Sequence, residues 1–342
     1  MRRITPSLIF VIALMSLAVL LLGNSASADR SSASSRQSAT NPWSEVDSAS
    51  LRRSGDAQQR LPYAYRTFRV NIDALKSILA EAPLERTDAA RNNKVVMALP
   101  KLDGSFAQFR IVLSPIMEPE LAARFPSIRT FSGQGIDDPT ATTRFDLTPT
   151  GLHAIVLSEK ETFYVEPYTK GNTVDYMVFS HHDAPTDSFA FQCDVTDKEV
   201  AEAALRGVFA RDGDSPSVIS GDTLRTYRLA VGVTAEYTAA YGSGTVGGSL
   251  SAITTTLNLA NAAYERDLTI RLTLVGNETS IIYTDTTTDG YTHESIPSML
   301  TENQTKLDTI IGAANYDIGH VFDGTILGGG FSFQGQAGAI GN

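Results

Sequence analysis

The feature that most limits the fold is a change of hydrophobic period partway along the chain. Up to about Asp197 the apolar residues come in short runs bounded by Gly, Pro, Asp or Asn, the pattern of strands. Val95 to Pro100 and Phe106 to Leu113 flank Asp103-Gly104, a dipeptide that supplies the positive φ of a hairpin turn. Further strands are expected over Arg144 to Leu147, His153 to Leu157, Thr162 to Val165, Tyr176 to Phe179 and Phe189 to Cys193. From Thr226 onward the pattern becomes strand, helix, strand, helix, strand. Leu250, Ile253, Leu257 and Ala260 recur at helical spacing, and Leu268, Ile270, Leu272 and Leu274 alternate with Thr269, Arg271 and Thr273. The alternation predicts a strand with one buried and one wet face. A βαβ series of this kind implies a mostly parallel sheet covered by helices.

The expected class is therefore α+β, with a β-rich N-terminal domain followed by an α/β domain. Met1 to Ala28 reads as a secretory signal, with Arg2 and Arg3 ahead of the apolar run Leu8 to Leu22 and an Ala26-Ser27-Ala28 cleavage site. A membrane anchor is the competing reading, but the run is shorter than the roughly 20 residues a bilayer needs. Residues 29–42 have almost nothing to bury and are expected to form a flexible tether. The β-rich domain is expected over 43–210 and ends in an amphipathic helical turn or two, Asp197 to Ala210. A linker follows over 211–222, and the second domain runs over 223–342.

Charge narrows the partners. The chain carries a net charge of -10, and loss of Arg2 and Arg3 with the signal takes it to about -12. An acidic exported protein is a poor match for nucleic acid or an anionic membrane. Cys193 is the single cysteine, so no internal disulfide framework exists and packing alone must hold the core.

Motifs of chemistry are sparse. His293-Glu294-Ser295-Ile296-Pro297 starts like a zinc helix but has Pro297 where the second histidine belongs, so it is expected to be a loop leading into the Met299 helix. His153 is expected as a partly buried strand residue. His181-His182-Asp183 is expected in a turn, because adjacent histidines on an extended chain point apart. No Gly-x-Ser-x-Gly elbow, Walker loop or dinucleotide fingerprint occurs, and Gly242 to Gly248 reads as an approach to a helix. Cys193 admits a structural reading, as a small buried residue at a strand end or half of a disulfide with a cysteine beyond Asn342, and a functional one, as a thiolate that caps zinc in a latent zymogen.

Tyr227 to Val233, Asn258 to Arg266, Leu268 to Val275 and Tyr316-Asp-Ile-Gly-His-Val-Phe322 together resemble the front half of a reprolysin-like (adamalysin-type) metallopeptidase, a branch of the metzincins. The glycine-rich tail Phe333 to Ala339 is similar to the loop that leads toward the family's zinc helix. The region from Leu61 to Cys193 looks like the propeptide-like domain of exported bacterial members. The resemblance implies a secreted zinc endopeptidase acting on protein or peptide substrates. It also implies that Ile318, Gly319, His320 and Val321 lie on a cleft edge where extended substrate pairs by β-addition. The family's H-E-x-x-H-x-x-G-x-x-H segment is missing. This chain is therefore expected to have no catalytic residue of its own, no metal ligands and no bound zinc. Two readings follow, an N-terminal fragment of a zinc protease or a complete non-catalytic binding or inhibitory module.

Overall fold

In the computed structural model, residues 41–51, 61–185, 223–293 and 296–324 are described. The expected signal, the tether up to residue 40, the Phe189–Cys193 strand, the Asp197–Ala210 helix, the linker and the glycine-rich tail lie outside these residues, as does Cys193. The first part contains β1 (Trp43–Glu45), β2 (Arg66–Val70), α1 (Ile72–Ala80), α2 (Asp88–Arg91), β3 (Val96–Pro100) and β4 (Phe106–Leu113). It continues with α3 (Pro119–Arg124), β5 (Arg129–Gly135), β6 (Thr142–Thr148), β7 (Gly151–Leu157), β8 (Thr162–Pro167) and β9 (Asp175–Ser180). These strands form one nine-stranded antiparallel sheet in the order β1-β2-β9-β8-β7-β6-β5-β4-β3. The Trp43 indole donates to the Ala98 carbonyl at 2.8 Å, so the two rims, β1 and β3, meet and the sheet almost closes on itself.

Alternation along each strand fills the interior. Phe68, Phe109, Phe131, Phe145 and Tyr176 are fully buried, and Phe131 stacks on its cross-strand partner Phe145 at 5.0 Å. The β3–β4 hairpin turns as the sequence expects. Gly104 has φ +84°, and the Asp103 carboxylate accepts from the Ser105 amide at 2.9 Å.

The second part contains β10 (Arg225–Val233), α4 (Ala235–Tyr241), α5 (Val246–Leu268), β11 (Ile270–Leu274), α6 (Ile296–Lys306) and β12 (Ile318–Phe322). Its three strands are all parallel, in the order β11-β10-β12. Thr245 caps the start of α5 by accepting from the Gly248 amide, and the helix runs on to Leu268 before Thr269 turns left-handed at φ +53°. Leu268 is therefore the last helical residue, not the first of the strand that its alternation predicts. Arg271, expected on the wet face, is buried. Its guanidinium bonds Glu265 on α5 and Glu85 in the first part, and the two carboxylates offset the cost of burial.

That pair belongs to a larger contact between the two parts. Arg144 on β6 is 3% exposed and reaches Glu265 at 2.7 Å, Asn258 at 2.8 Å and Ser114 at 2.9 Å. Nearby, the fully buried Asp146 accepts from Thr255 of α5 at 3.0 Å, and burial pushes its pKa up to about 7. Its register partner His153 bonds Glu166. Burial opposes the charge on His153, yet Glu166 and Asp146 outweigh it and raise the imidazole to about 9. The backbone joins in too. The Leu274 amide donates to the Ile116 carbonyl at 2.8 Å and the Glu118 amide to the Leu274 carbonyl at 2.9 Å, so residues 116–118 act as a fourth strand beside β11.

Glu278 shows how the central strand stays satisfied where β11 has ended. Its fully buried carboxyl accepts from the Val231 amide at 3.0 Å, a place in the ladder that no strand fills among the described residues. Desolvation raises its pKa well above the ordinary value.

Two outcomes are expected. Arg144→Ala takes from Glu265 one of its two guanidinium partners and from Asn258 and Ser114 a buried donor, and lowers stability by about 1–3 kcal/mol in denaturant unfolding at pH 7. For Glu278 the folded pKa exceeds the unfolded one, so the stability it contributes is complete below the ordinary carboxylate range and falls as pH rises toward the folded value. Glu278→Gln should gain stability relative to the parent between pH 5 and 8 in urea titrations; equal pH slopes for the two proteins would refute the raised pKa.

Candidate functional site

In open sheets with parallel strands, the carboxyl ends of the strands are where ligands gather. Here the ends of β10 and β12 lie side by side, with Thr234 and Asp323 as the first residues beyond them. The Thr234 amide donates to the Phe322 carbonyl at 3.0 Å. Its hydroxyl accepts from the Tyr237 amide, capping α4, and donates to Asp323 Oδ1 at 2.9 Å. One buried threonine thus fixes both chain ends. Gly324 follows directly, and a Cβ there would lie 2.5 Å from the Glu236 carbonyl carbon, so only glycine lets the chain pass over the start of α4.

The loop between β11 and α6 is pinned to the same corner. Asp289, 1% exposed, accepts from the Ala235 amide and the Tyr291 amide, each at 3.1 Å. Thr292 bonds Glu302 of α6 through both its amide and its hydroxyl. His293, between these anchors and α6, adopts φ +52°. Its imidazole lies between two carboxylates, with Nε2 3.3 Å from Glu236 Oε2 and Nδ1 3.3 Å from Asp323 Oδ1. Among the described residues, Glu236, His293 and Asp323 are the group of three that could hold a metal ion, each offering one ligand atom within 4.8 Å of the others.

The residues expected to bind substrate lie on β12. Ile318 and His320 face a cavity of about 460 Å³ between the sheet and α5, together with Phe322, Leu229, Leu257 and Tyr264. Gly319 faces the other way, against Leu307, whose side chain would lie 2.6 Å from an added Cβ. β12 pairs with β10, and among the described residues no strand pairs with its other edge. The His320 carbonyl is partly engaged, because the Asn303 amide of α6 donates to it at 3.0 Å while the Asn303 oxygen accepts from the buried Tyr291 hydroxyl. Gly232 makes room for this bridge, since a Cβ there would meet the Asn303 oxygen at 2.1 Å.

No local motif signals this arrangement. His293 is rejected on helical spacing, and it is non-helical as expected, but α6 begins at Ile296 and takes in Pro297, which the sequence places in the loop; proline is tolerated in a helix's first turn, where its missing N–H has no partner to lose. Its partners come from two other segments, which a local motif cannot display. His181 and His182 sit in a short turn at 181–183, with His181 bonded to the Tyr164 hydroxyl.

Comparison with known proteins gives one family. Residues 223–340 match the model described as metallo-peptidase family M12B, reprolysin-like. The match spans every strand and helix of the second part. No curated protein matches. A solved structure described as that of a chaperone-substrate complex is 13% identical, with 37% of this chain and 92% of that chain covered and a TM-score of 0.25. Likeness at that level carries no argument.

Zinc dependence is general in this family, whose ion is held by three histidines of one H-E-x-x-H-x-x-G-x-x-H segment. The cluster of Glu236, His293 and Asp323 has one imidazole and two carboxylates drawn from three segments, so it does not fit that set. Asn303→Ala should lower stability by about 1–3 kcal/mol, because it strips both the His320 carbonyl and the Tyr291 hydroxyl of a buried partner. Thermal unfolding of Asn303→Ala beside Asn303→Asp separates the amide donor from the shared oxygen.

Proposed function

We propose, with residues 223–340 as reprolysin-like metallopeptidase sequence, that this chain supplies a β-rich N-terminal domain and the first half of the catalytic domain of a secreted zinc-dependent metalloendopeptidase. Its substrates are proteins or peptides. The family match carries this reading. The parallel sheet β11-β10-β12, backed by α5, is consistent with it. In the family, zinc supplies the activated water, and no residue of this chain is assigned to that step because the motif is missing from its 342 residues.

The β-rich part serves as the propeptide-like domain. The buried contacts of Arg144 and Arg271 and the strand addition at 116–118 support a domain that stays docked rather than one that drifts on a tether. Export follows from Met1 to Ala28. Ile318 to Val321 take extended peptide along the outer edge of β12, with Asn303 holding one carbonyl in place. Cys193 retains its two readings, structural residue or zinc-capping thiol.

The test compares two proteins, the 342-residue chain and the product of its native reading frame. Cleavage of casein that a zinc chelator abolishes is expected from the second and not from the first. A frame that closes directly after the Asn342 codon, with no chelator-sensitive activity from the native product, would replace this reading with that of a non-catalytic binding module.

A further inference from the structure

Glu236, His293 and Asp323 play no part in the proposed peptidase reading, and the inference drawn from them is independent of it. Three segments far apart in sequence bring a first-turn carboxylate of α4, a loop imidazole and the carboxylate at the end of β12 to one point. We propose that these three side chains hold a divalent transition-metal ion, zinc or manganese, distinct from any catalytic zinc, which clamps the carboxyl ends of β10 and β12 to the loop before α6.

Four observations support this assignment. The first is the donor set. One imidazole nitrogen among carboxylate oxygens suits zinc or manganese, whereas calcium and magnesium favour oxygen alone. The second is spacing. Zinc bonds of about 2.0–2.2 Å at tetrahedral angles put neighbouring ligand atoms about 3.4 Å apart. Both imidazole-to-carboxylate contacts are 3.3 Å. The ring offers a single nitrogen to the ion, so one carboxylate must swing toward the nitrogen that its partner already faces. All three ligand atoms already lie within 4.8 Å.

The third observation is charge. Two carboxylates and one imidazole sum to a net negative charge in either state of the ring, and a dication with neutral imidazole brings the sum to zero. Glu236 Oε2 is shut off from solvent and makes no hydrogen bond to any described residue, with His293 Nε2 facing it at 3.3 Å. A closed-off carboxylate oxygen of this kind is a costly feature without an ion or proton to meet it. The fourth is the outer shell. Thr234 donates to Asp323 Oδ1 at 2.9 Å and holds that carboxylate in orientation, as partners of metal-bound groups do. Asp289 and Glu302 fix the loop on either side of His293 without entering the cluster.

The experiment uses the whole chain, stripped with chelator, dialysed, and titrated by calorimetry with zinc chloride and separately with manganese chloride. Metal content after dialysis is measured by mass spectrometry. One ion per chain is expected, together with a rise in unfolding temperature on loading. His293→Gln, Glu236→Gln and Asp323→Asn should each weaken binding by at least about tenfold, the lower end of what even outer-shell losses cost. His181→Ala with His182→Ala should leave it unchanged, which separates the site from a surface histidine pair. Circular dichroism of the apo variants confirms that they fold, and Glu236→Gln, nearly isosteric, keeps the test open should His293→Gln unfold. Binding that survives all three substitutions would overturn the proposal. So would absence of zinc and manganese binding to the folded, metal-free chain.

Discussion

Arg144 is the residue on which the two halves of this protein depend. It rises from the middle of the antiparallel sheet and meets Glu265 and Asn258 on one face of α5, at a place where water is excluded. Glu265 is shared with Arg271, and Arg271 with Glu85, so cations and carboxylates alternate across the interface. Removing Glu265 leaves Arg144 buried without a bonded carboxylate, and removing Arg271 leaves Glu85 without a bonded guanidinium, losses far more costly than the modest net gain of the intact network. A three-stranded parallel sheet also needs neighbours at its edges and cover on its faces. Residues 116–118 occupy one edge and α5 covers a face, so the second part is built onto the first.

What could be read in the sequence is what is local. The β3–β4 hairpin declares itself because Asp103-Gly104 and the flanking alternation act within a few residues of one another. The βαβ series after Thr226 declares itself because helical and strand periods differ over any short window. The expected strand start at Leu268 differs from the observed one because Leu268 falls in with the alternation of Ile270, Leu272 and Leu274, and only the left-handed turn at Thr269 assigns it to α5. Arg271 looked wet because its partner Glu85 lies 186 positions away. Glu278 gave no sign at all. A carboxyl that stands in for a missing strand is visible only when the ladder beside Val231 is known.

The same logic explains the candidate site. Pro297 rules out a zinc helix at His293, and His293 is non-helical, with α6 beginning at Ile296. Pro297 excludes a motif and not a metal. Glu236 and Asp323 become neighbours because β10 and β12 are adjacent and parallel, so their carboxyl ends share one rim. Thr234, Gly324 and Asp289 carry signals that are readable only afterwards, a cap, a close approach and a loop anchor. The reprolysin-like segment thus brings with it a corner of mixed donors, separate from the β12 edge where substrate is proposed to pair.

The central physical claim is that the antiparallel sheet and the reprolysin-like sheet form one cooperative body. Native-state hydrogen exchange on the whole chain at neutral pH tests it most directly, through the amides of Glu118 and Leu274, which bond across the two parts. The account predicts that they open with the same free energy as Ile155 and Val156 in the heart of β7, only on global unfolding. Opening at markedly lower free energy, while β7 stays closed, would mean that the reprolysin-like part detaches on its own and would contradict the account.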